Sequence, residues 1–163
     1  MIDAAAFEQA LRPLLPRSAG YARALLGERG QAEDAVQQAA LRAWEKRAGY
    51  DRALPFRPWW FAILRNQCLD MLRSRKRAPA TMDIDQASLA VPGDESAMDR
   101  RALEVAMAAL PDMHREILVL RYHGDLDYEE LARVLAIPRG TVMSRLHLAR
   151  KALAGLMATE NPS

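Results

Sequence analysis

Between residues 56 and 79 the chain sets Arg57, Arg65, Arg73, Arg75, Lys76 and Arg77 against a single acid, Asp70, and adds Phe56, Trp59, Trp60 and Phe61. That mixture suits single-stranded nucleic acid, whose unpaired bases stack on rings while cations hold the phosphates. The competing reading is that the tryptophans are core, and for at least one of them it is the better one.

A second stretch, residues 126–153, reads LDYEELARVLAIPRGTVMSRLHLARKAL. Two short helical patterns flank Leu135, Ala136 and Ile137, and Pro138 suits the opening of the second, where a missing N–H is no loss. By pattern this is a helix-turn-helix. On its second helix Val142, Leu146, Ala149 and Leu153 recur at helical spacing as an inward stripe, leaving Met143, Ser144, His147 and Lys151 to face outward. In DNA-binding motifs of this kind the outward face enters the major groove. Periodicity alone equally allows a small helical corner with no ligand.

Covalent chemistry finds no comparable grouping. His114, His123 and His147 lack cysteine or histidine neighbours at metal spacing, so a zinc site is not expected. Cys68 is the single cysteine, lies in an apolar helical pattern and is read as packing. No nucleophile, base and acid cluster and no phosphate-binding glycine loop is present in the pattern; neither an enzyme nor a cofactor is expected.

The elements that must position these residues are helices. At 163 residues, 50% hydrophobic and 27% charged, the chain has room for one ordinary domain or two small ones, and two is the preferred reading. No apolar run approaches the roughly 20 residues of a membrane span and no secretory leader pattern is seen, so a cytoplasmic protein without membrane insertion is expected. The net charge of +2 says little, but its distribution says more. After the basic run, residues 80–99 carry Asp83, Asp85, Asp94, Glu95 and Asp99 with no Lys or Arg. Together with Pro79, Pro92 and Gly93, this argues for a flexible acidic tether.

Along the chain, Asp3 can cap a first helix carrying Phe7 and Leu11, and Pro13 and Pro16 force a break or restart. Helix resumes over residues 17–26, and Gly27 and Gly30 punctuate the next turn. Residues 32–47, AEDAVQQAALRAWEKR, form the strongest helical pattern of the first half, with Val36, Ala39, Ala40, Ala43 and Trp44 on one face and Asp34, Gln37, Gln38 and Arg42 on another. Amides there can bond a partner without heavy desolvation, or simply face water. An ordered loop follows, then a long helix ending in the basic run. Beyond the tether, Leu103, Val105, Ala106, Ala109 and Leu110 begin a second helical unit. Pro111 opens a helix with Ile117, Leu118 and Leu120 inside and Arg115 and Arg121 available outside. His123, Gly124 and Asp125 end it. With no convincing strand alternation, the fold class is all-α: two small helical domains, residues 1–77 and 98–158, joined by a linker over 78–97.

The two blocks AEDAVQQAALRAW with PWWFAILRNQCLDMLRSRKR, and LPDMHREILVLRYHGDLDYEELARVLAIPRGTVMSRLHLARKAL, in this order and spacing, resemble the extracytoplasmic-function sigma factors of the sigma-70 family. The resemblance covers nearly the whole chain. It implies that Asp34, Gln37, Gln38 and Leu41 dock on the clamp helices of core RNA polymerase, with Gln38 standing where relatives usually carry an acid. The loop with Tyr50, Asp51, Arg52 and Ala53 would form a pocket for a base flipped from the −10 non-template strand, read with Asn66. Arg42, Arg65, Arg73, Arg75, Lys76 and Arg77 would hold its phosphates. Opening a duplex costs a few kcal/mol of unstacking per flipped base, hence the need for a pocket. The tether would pass the polymerase active centre. The second domain, also in contact with the polymerase flap, would read the −35 element through Thr141, Met143, Ser144, His147 and Leu148. Arg121, Arg139, Arg145 and Arg150 would remain for phosphate contact or domain packing, and Lys151 would join the DNA-facing set. Relatives often carry Lys or Arg where Met143 and Leu148 stand. An anti-sigma partner and a monomeric free state are implied too. The alternatives are a sigma-like mimic that captures an anti-sigma factor and a stand-alone helix-turn-helix regulator.

Overall fold

A computed structural model describes residues 1–77 and 95–160 of the chain, all of it helix, turn or loop within those bounds. The expected tether over 78–97 falls almost wholly outside the described residues, and its last three positions are already helical.

Helix α1, Ala4–Leu11, starts where the Asp3 carboxylate accepts the Ala6 N–H at 2.8 Å, and it buries Phe7 and Leu11, one helical turn apart. Pro13 tightens the backbone into a short 3-10 turn, Arg12–Leu14, and Pro16 then sits in the first turn of α2, Leu15–Leu26, where its lost N–H is harmless. The two prolines redirect the chain without interrupting it. Helix α2 ends at Gly27, whose φ of +79° lies in the left-handed region that favours glycine. Helix α3, Arg29–Lys46, begins three residues before the expected 32, so Gly30 lies inside it and not in a turn. Ala32, Ala35, Ala39 and Ala43 form its buried stripe, and these small side chains let α3 lie close against α2 and α4.

Helix α4, Phe56–Arg77, is the longest element of the first bundle. Trp60, Phe61, Leu64 and Cys68 are fully buried along it. Trp60 is the core tryptophan: its Nε1–H donates to Ser18 Oγ at 2.8 Å, and Ser18 in turn donates to the Leu14 carbonyl at 2.6 Å. The buried indole N–H is thus satisfied at little cost.

The second bundle runs α5 (Glu95–Ala109), α6 (Asp112–Tyr122), α7 (Tyr128–Leu135) and α8 (Arg139–Glu160). Leu103 and Val105 are exposed, while α5 packs chiefly on α8 among the described residues, with Ala106 buried and Leu110 just beyond its end. Gly124 turns the corner after α6, where a Cβ would lie 2.6 Å from the Leu120 carbonyl oxygen. Asp127 caps α7 by accepting the Glu130 N–H at 2.8 Å while Glu130 reaches back to the Asp127 N–H, a reciprocal capping box. Ala136 takes φ +54° to make the turn, and Pro138 supplies the carbonyl for the first α8 bond, to Val142 N at 3.1 Å. Val142, Leu146 and Ala149 are buried as the pattern predicts, and Leu153 is half-buried.

The two bundles touch along α2 with α6 and α4 with α7, and their apolar residues form one continuous cluster. No described helix is long and apolar enough to cross a membrane. Asp127→Ala should lower the free energy of unfolding by about 1 kcal/mol in a urea titration. Bonding to the Glu130 N–H, chiefly, holds the Asp127 carboxyl below its ordinary 3.8. Its contribution is therefore complete above about pH 4 and lost as pH falls through the lower folded value. Asp127→Asn, which can still cap, should keep most of the stability at neutral pH and flatten that acid limb.

Candidate nucleic-acid interface

The loop before α4 is closed by its own side chains. The Tyr50 hydroxyl donates to the Leu54 carbonyl at 2.7 Å, and Asp51 Oδ1 accepts the Ala53 N–H at 2.9 Å, a local Asx turn. The Tyr50 ring leans on Trp59 and Phe56, with centroids 4.9 and 5.5 Å away, and its burial there raises the phenol above its ordinary pKa. Asp51, Arg52, Ala53 and Leu54 stay exposed at the loop tip. The result is a small aromatic shelf fixed at the start of α4. Trp59 belongs to this shelf and Trp60 to the core, which separates two neighbours that look alike in sequence.

The cations of α4 are spread round the helix, and the structure divides them. Asn66 is exposed one turn beyond the aromatic run. Asp70 gathers Arg42 at 3.0 Å and Arg73 at 3.3 Å, so the lone acid of the basic run bridges α3 and α4. Arg75 is a structural residue: its guanidinium donates to the Leu26 carbonyl at 2.9 Å and also to Gln31, tying the end of α4 to the end of α2. Arg65 bonds Glu116, and Lys76 stands 3.7 Å from Asp112, both across the contact with the second bundle. Arg52 and Arg77 are exposed, with no ion pair among the described residues. The expected phosphate-binding set is thus a shared resource, part fold and part surface.

On α3 the expected docking residues lie together on one exposed face: Asp34, Gln37, Gln38 and Leu41, the last 64% exposed. Gln38 donates to Asp34 at 3.2 Å and accepts from Gln67 of α4 at 3.1 Å, which ties part of this face to the helix behind it. Cys68 lies beneath, its thiol pushed up to about 12 by burial and therefore inert.

Helix α8 keeps Met143, Ser144, His147, Leu148 and Lys151 on one exposed face. Met143 and Leu148 are 53% and 54% exposed, an apolar pair where solvent alone gives no reason for one. Ser144 Oγ donates to the Thr141 carbonyl at 3.2 Å. Arg145 and Thr141 are half-buried, and Arg139 pairs with Glu129 at 3.1 Å. Arg115 and Arg121 are less available than the sequence suggests: their Nε atoms are buried, Arg115 pairs with Asp112, and Arg121 lies 3.9 Å from Asp125. Arg57, which the sequence marks only as basic, proves to be bound by two hydrogen bonds to Glu130, at 2.7 and 2.8 Å. Nothing in the linear pattern pairs residues so far apart.

Models of two families match the chain, sigma-70 region 2 over residues 10–78 and sigma-70 region 4 over residues 100–153. The extracytoplasmic-function RNA polymerase sigma factor SigL of Mycobacterium tuberculosis is 37% identical over 138 residues, covering 82% of this chain and 78% of that protein. The corresponding factor RpoE of Cereibacter sphaeroides is 31% identical over 156 residues, or 90% and 83%. Among solved structures, sigma factor RpoE bound to the anti-sigma factor NepR, from Bartonella quintana, superposes with a TM-score of 0.73 at 26% identity over 95% of this chain and 98% of that one. CnrH in complex with the cytosolic domain of CnrY gives 0.77 at 23% identity, over 98% and 92%.

If Arg75 is structural, Arg75→Ala should destabilise the fold by about 1 kcal/mol in urea. Arg77→Ala should leave the midpoint unchanged and weaken binding to a single-stranded oligonucleotide.

Proposed function

Since the chain belongs to the extracytoplasmic-function sigma factors of the sigma-70 family, we propose that its bundles divide promoter recognition, the first melting the −10 region and the second anchoring at −35. As a sigma factor the protein serves transcription initiation, through core RNA polymerase and promoter DNA. The observation that carries the division is the arrangement along α4: an aromatic shelf at one end, exposed Asn66 about two turns on from Trp59, and exposed Arg73 and Arg77 beyond. A flipped base needs a ring and an amide close together and cations for its phosphates, and α4 offers them in that order.

Docking falls to the exposed α3 face of Asp34, Gln37, Gln38 and Leu41, by hydrogen bonding and one apolar contact. The upstream anchor is α8, where Met143 and Leu148 suit thymine methyl groups, with Ser144, His147 and Lys151 for polar contact. Without arginine on this face, base readout rests on apolar contact and DNA shape. None of these roles calls for covalent chemistry by the protein. Its place of work is the cytoplasm, with the polymerase. A second protein that holds the factor inactive fits as partner, since sigma factor RpoE from Bartonella quintana was captured with the anti-sigma factor NepR.

The test is transcription by core polymerase and purified protein on the DNA upstream of its own coding sequence, with the start mapped. A discrete start supports the reading, and absence of any promoter-specific transcript contradicts it. Asn66→Ala should reduce open-complex formation about tenfold, equivalent to about 1.4 kcal/mol. His147→Ala should shift the ranking of promoters that differ upstream. An equal loss at every promoter would mean misfolding instead.

A further inference from the structure

The outward side of α8 lacks the side chain that most often reads guanine. Met143 and Leu148 stand 53% and 54% exposed on it, and Ser144, His147 and Lys151 lie between them around the helix. The arginines of α8 do not fill the gap: Arg139 pairs with Glu129 at 3.1 Å, Arg150 donates to the Tyr122 hydroxyl at 2.9 Å, and Arg145 is half-buried. Ser144 gives its hydroxyl proton to the Thr141 carbonyl, which leaves its lone pairs to face a partner. A thioether and an isobutyl group cannot donate to guanine, and the sulfur is only a weak acceptor. The apolar feature that the major groove offers them is the methyl carbon at C5 of a pyrimidine. Thymine always carries it, and cytosine carries it only when methylated.

We propose that Met143 and Leu148 read the pyrimidine C5-methyl group itself, so that 5-methylcytosine serves α8 as thymine does and cytosine methylation in the upstream element strengthens binding. Such recognition rests on the −35 role proposed for α8 and narrows it to a chemical group. Desolvation sets the sign. Both side chains are open to water in the free chain, and packing each on a methyl removes apolar surface from both partners, whereas a bare C5–H leaves a gap. Each methyl is then worth about fourfold in affinity, equivalent to about 0.8 kcal/mol. Spacing adds a constraint, for five residues of helix rise about 7.5 Å, close to two base steps of about 3.4 Å, which puts the two methyls about two base pairs apart. The Ser144 lone pairs suit an exocyclic amino group, which the adenine opposite thymine and 5-methylcytosine itself both supply.

The experiment uses holoenzyme assembled from core polymerase and the full chain, on synthetic duplexes covering the DNA upstream of the mapped start. Each upstream thymine is replaced in turn by uracil, which deletes only the C5-methyl, and affinity is read by competition against a labelled promoter. Two positions about two base pairs apart should each lose about fourfold. A change of thymine to cytosine at either should weaken binding, and 5-methylcytosine at the same place should recover about fourfold over plain cytosine. Met143→Ala and Leu148→Ala, both at exposed sites, should keep the urea midpoint and each abolish the uracil effect at one of the two positions alone. Uracil and thymine binding alike at every upstream position overturns the proposal, and so does 5-methylcytosine binding no better than cytosine. A uracil effect that both variants retain overturns it too, by placing the cause in DNA shape. If replacing the whole upstream element leaves affinity unchanged, the −35 role of α8 falls with it, an outcome distinct from the others.

Discussion

The seam at which the edge of the Phe61 ring packs against the Gly124 corner sets where every other surface lies. Phe61 is fully buried, as are Tyr21 on one side and Leu120 and Leu126 on the other. Its apolar contacts are non-directional and would tolerate sliding, with about 1.5 to 3 kcal/mol for each large side chain removed from water. The ion pairs around it do not tolerate sliding. Arg57 can fork onto Glu130 only in one register, and Glu130 is itself fixed by the α7 capping box. Local chemistry at the start of one short helix thereby fixes how two bundles meet.

Helix α4 serves three masters along its length. Its inner stripe of Trp60, Leu64 and Cys68 builds the first core, Phe61 and Arg65 face the seam, and Asn66, Arg73 and Arg77 face water. A single helix can do this because residues three or four apart share a face and the intervening ones do not. The consequence is coupling between stability, packing of the bundles and nucleic-acid contact that could not arise if the cations lay on a separate loop. Arg75 shows the limit of reading charge as function: it neighbours Lys76 in sequence but caps the carbonyl end of α2.

Much of this was legible in the residues. Helical spacing placed the α8 stripe, the α3 faces and the break at Leu135 to Ile137, because each depends on nearest turns of one helix. The all-helical class followed from helical spacing without strand alternation, and the family from two blocks in a fixed order. Less legible was anything that depends on what a helix packs against. Leu103 and Val105 belong to an apolar run but face solvent, since α5 packs chiefly on α8 among the described residues. Gly30 reads as a turn residue and sits within α3. Above all, the basic run gave no sign of which cations would be engaged, since Asp112, Glu116 and Glu130 lie 36 or more residues away in sequence from the cations they meet. Side-chain pairing across bundles is a tertiary fact.

The first bundle is proposed to hold a melted strand once the chain is seated on polymerase. Permanganate reactivity of thymines upstream of the mapped start tests it most directly, because only unstacked thymines react. Non-template thymines around −10 should become reactive when both core polymerase and this protein are present and stay protected with either alone. A discrete start with no reactive thymine in that region would contradict the account.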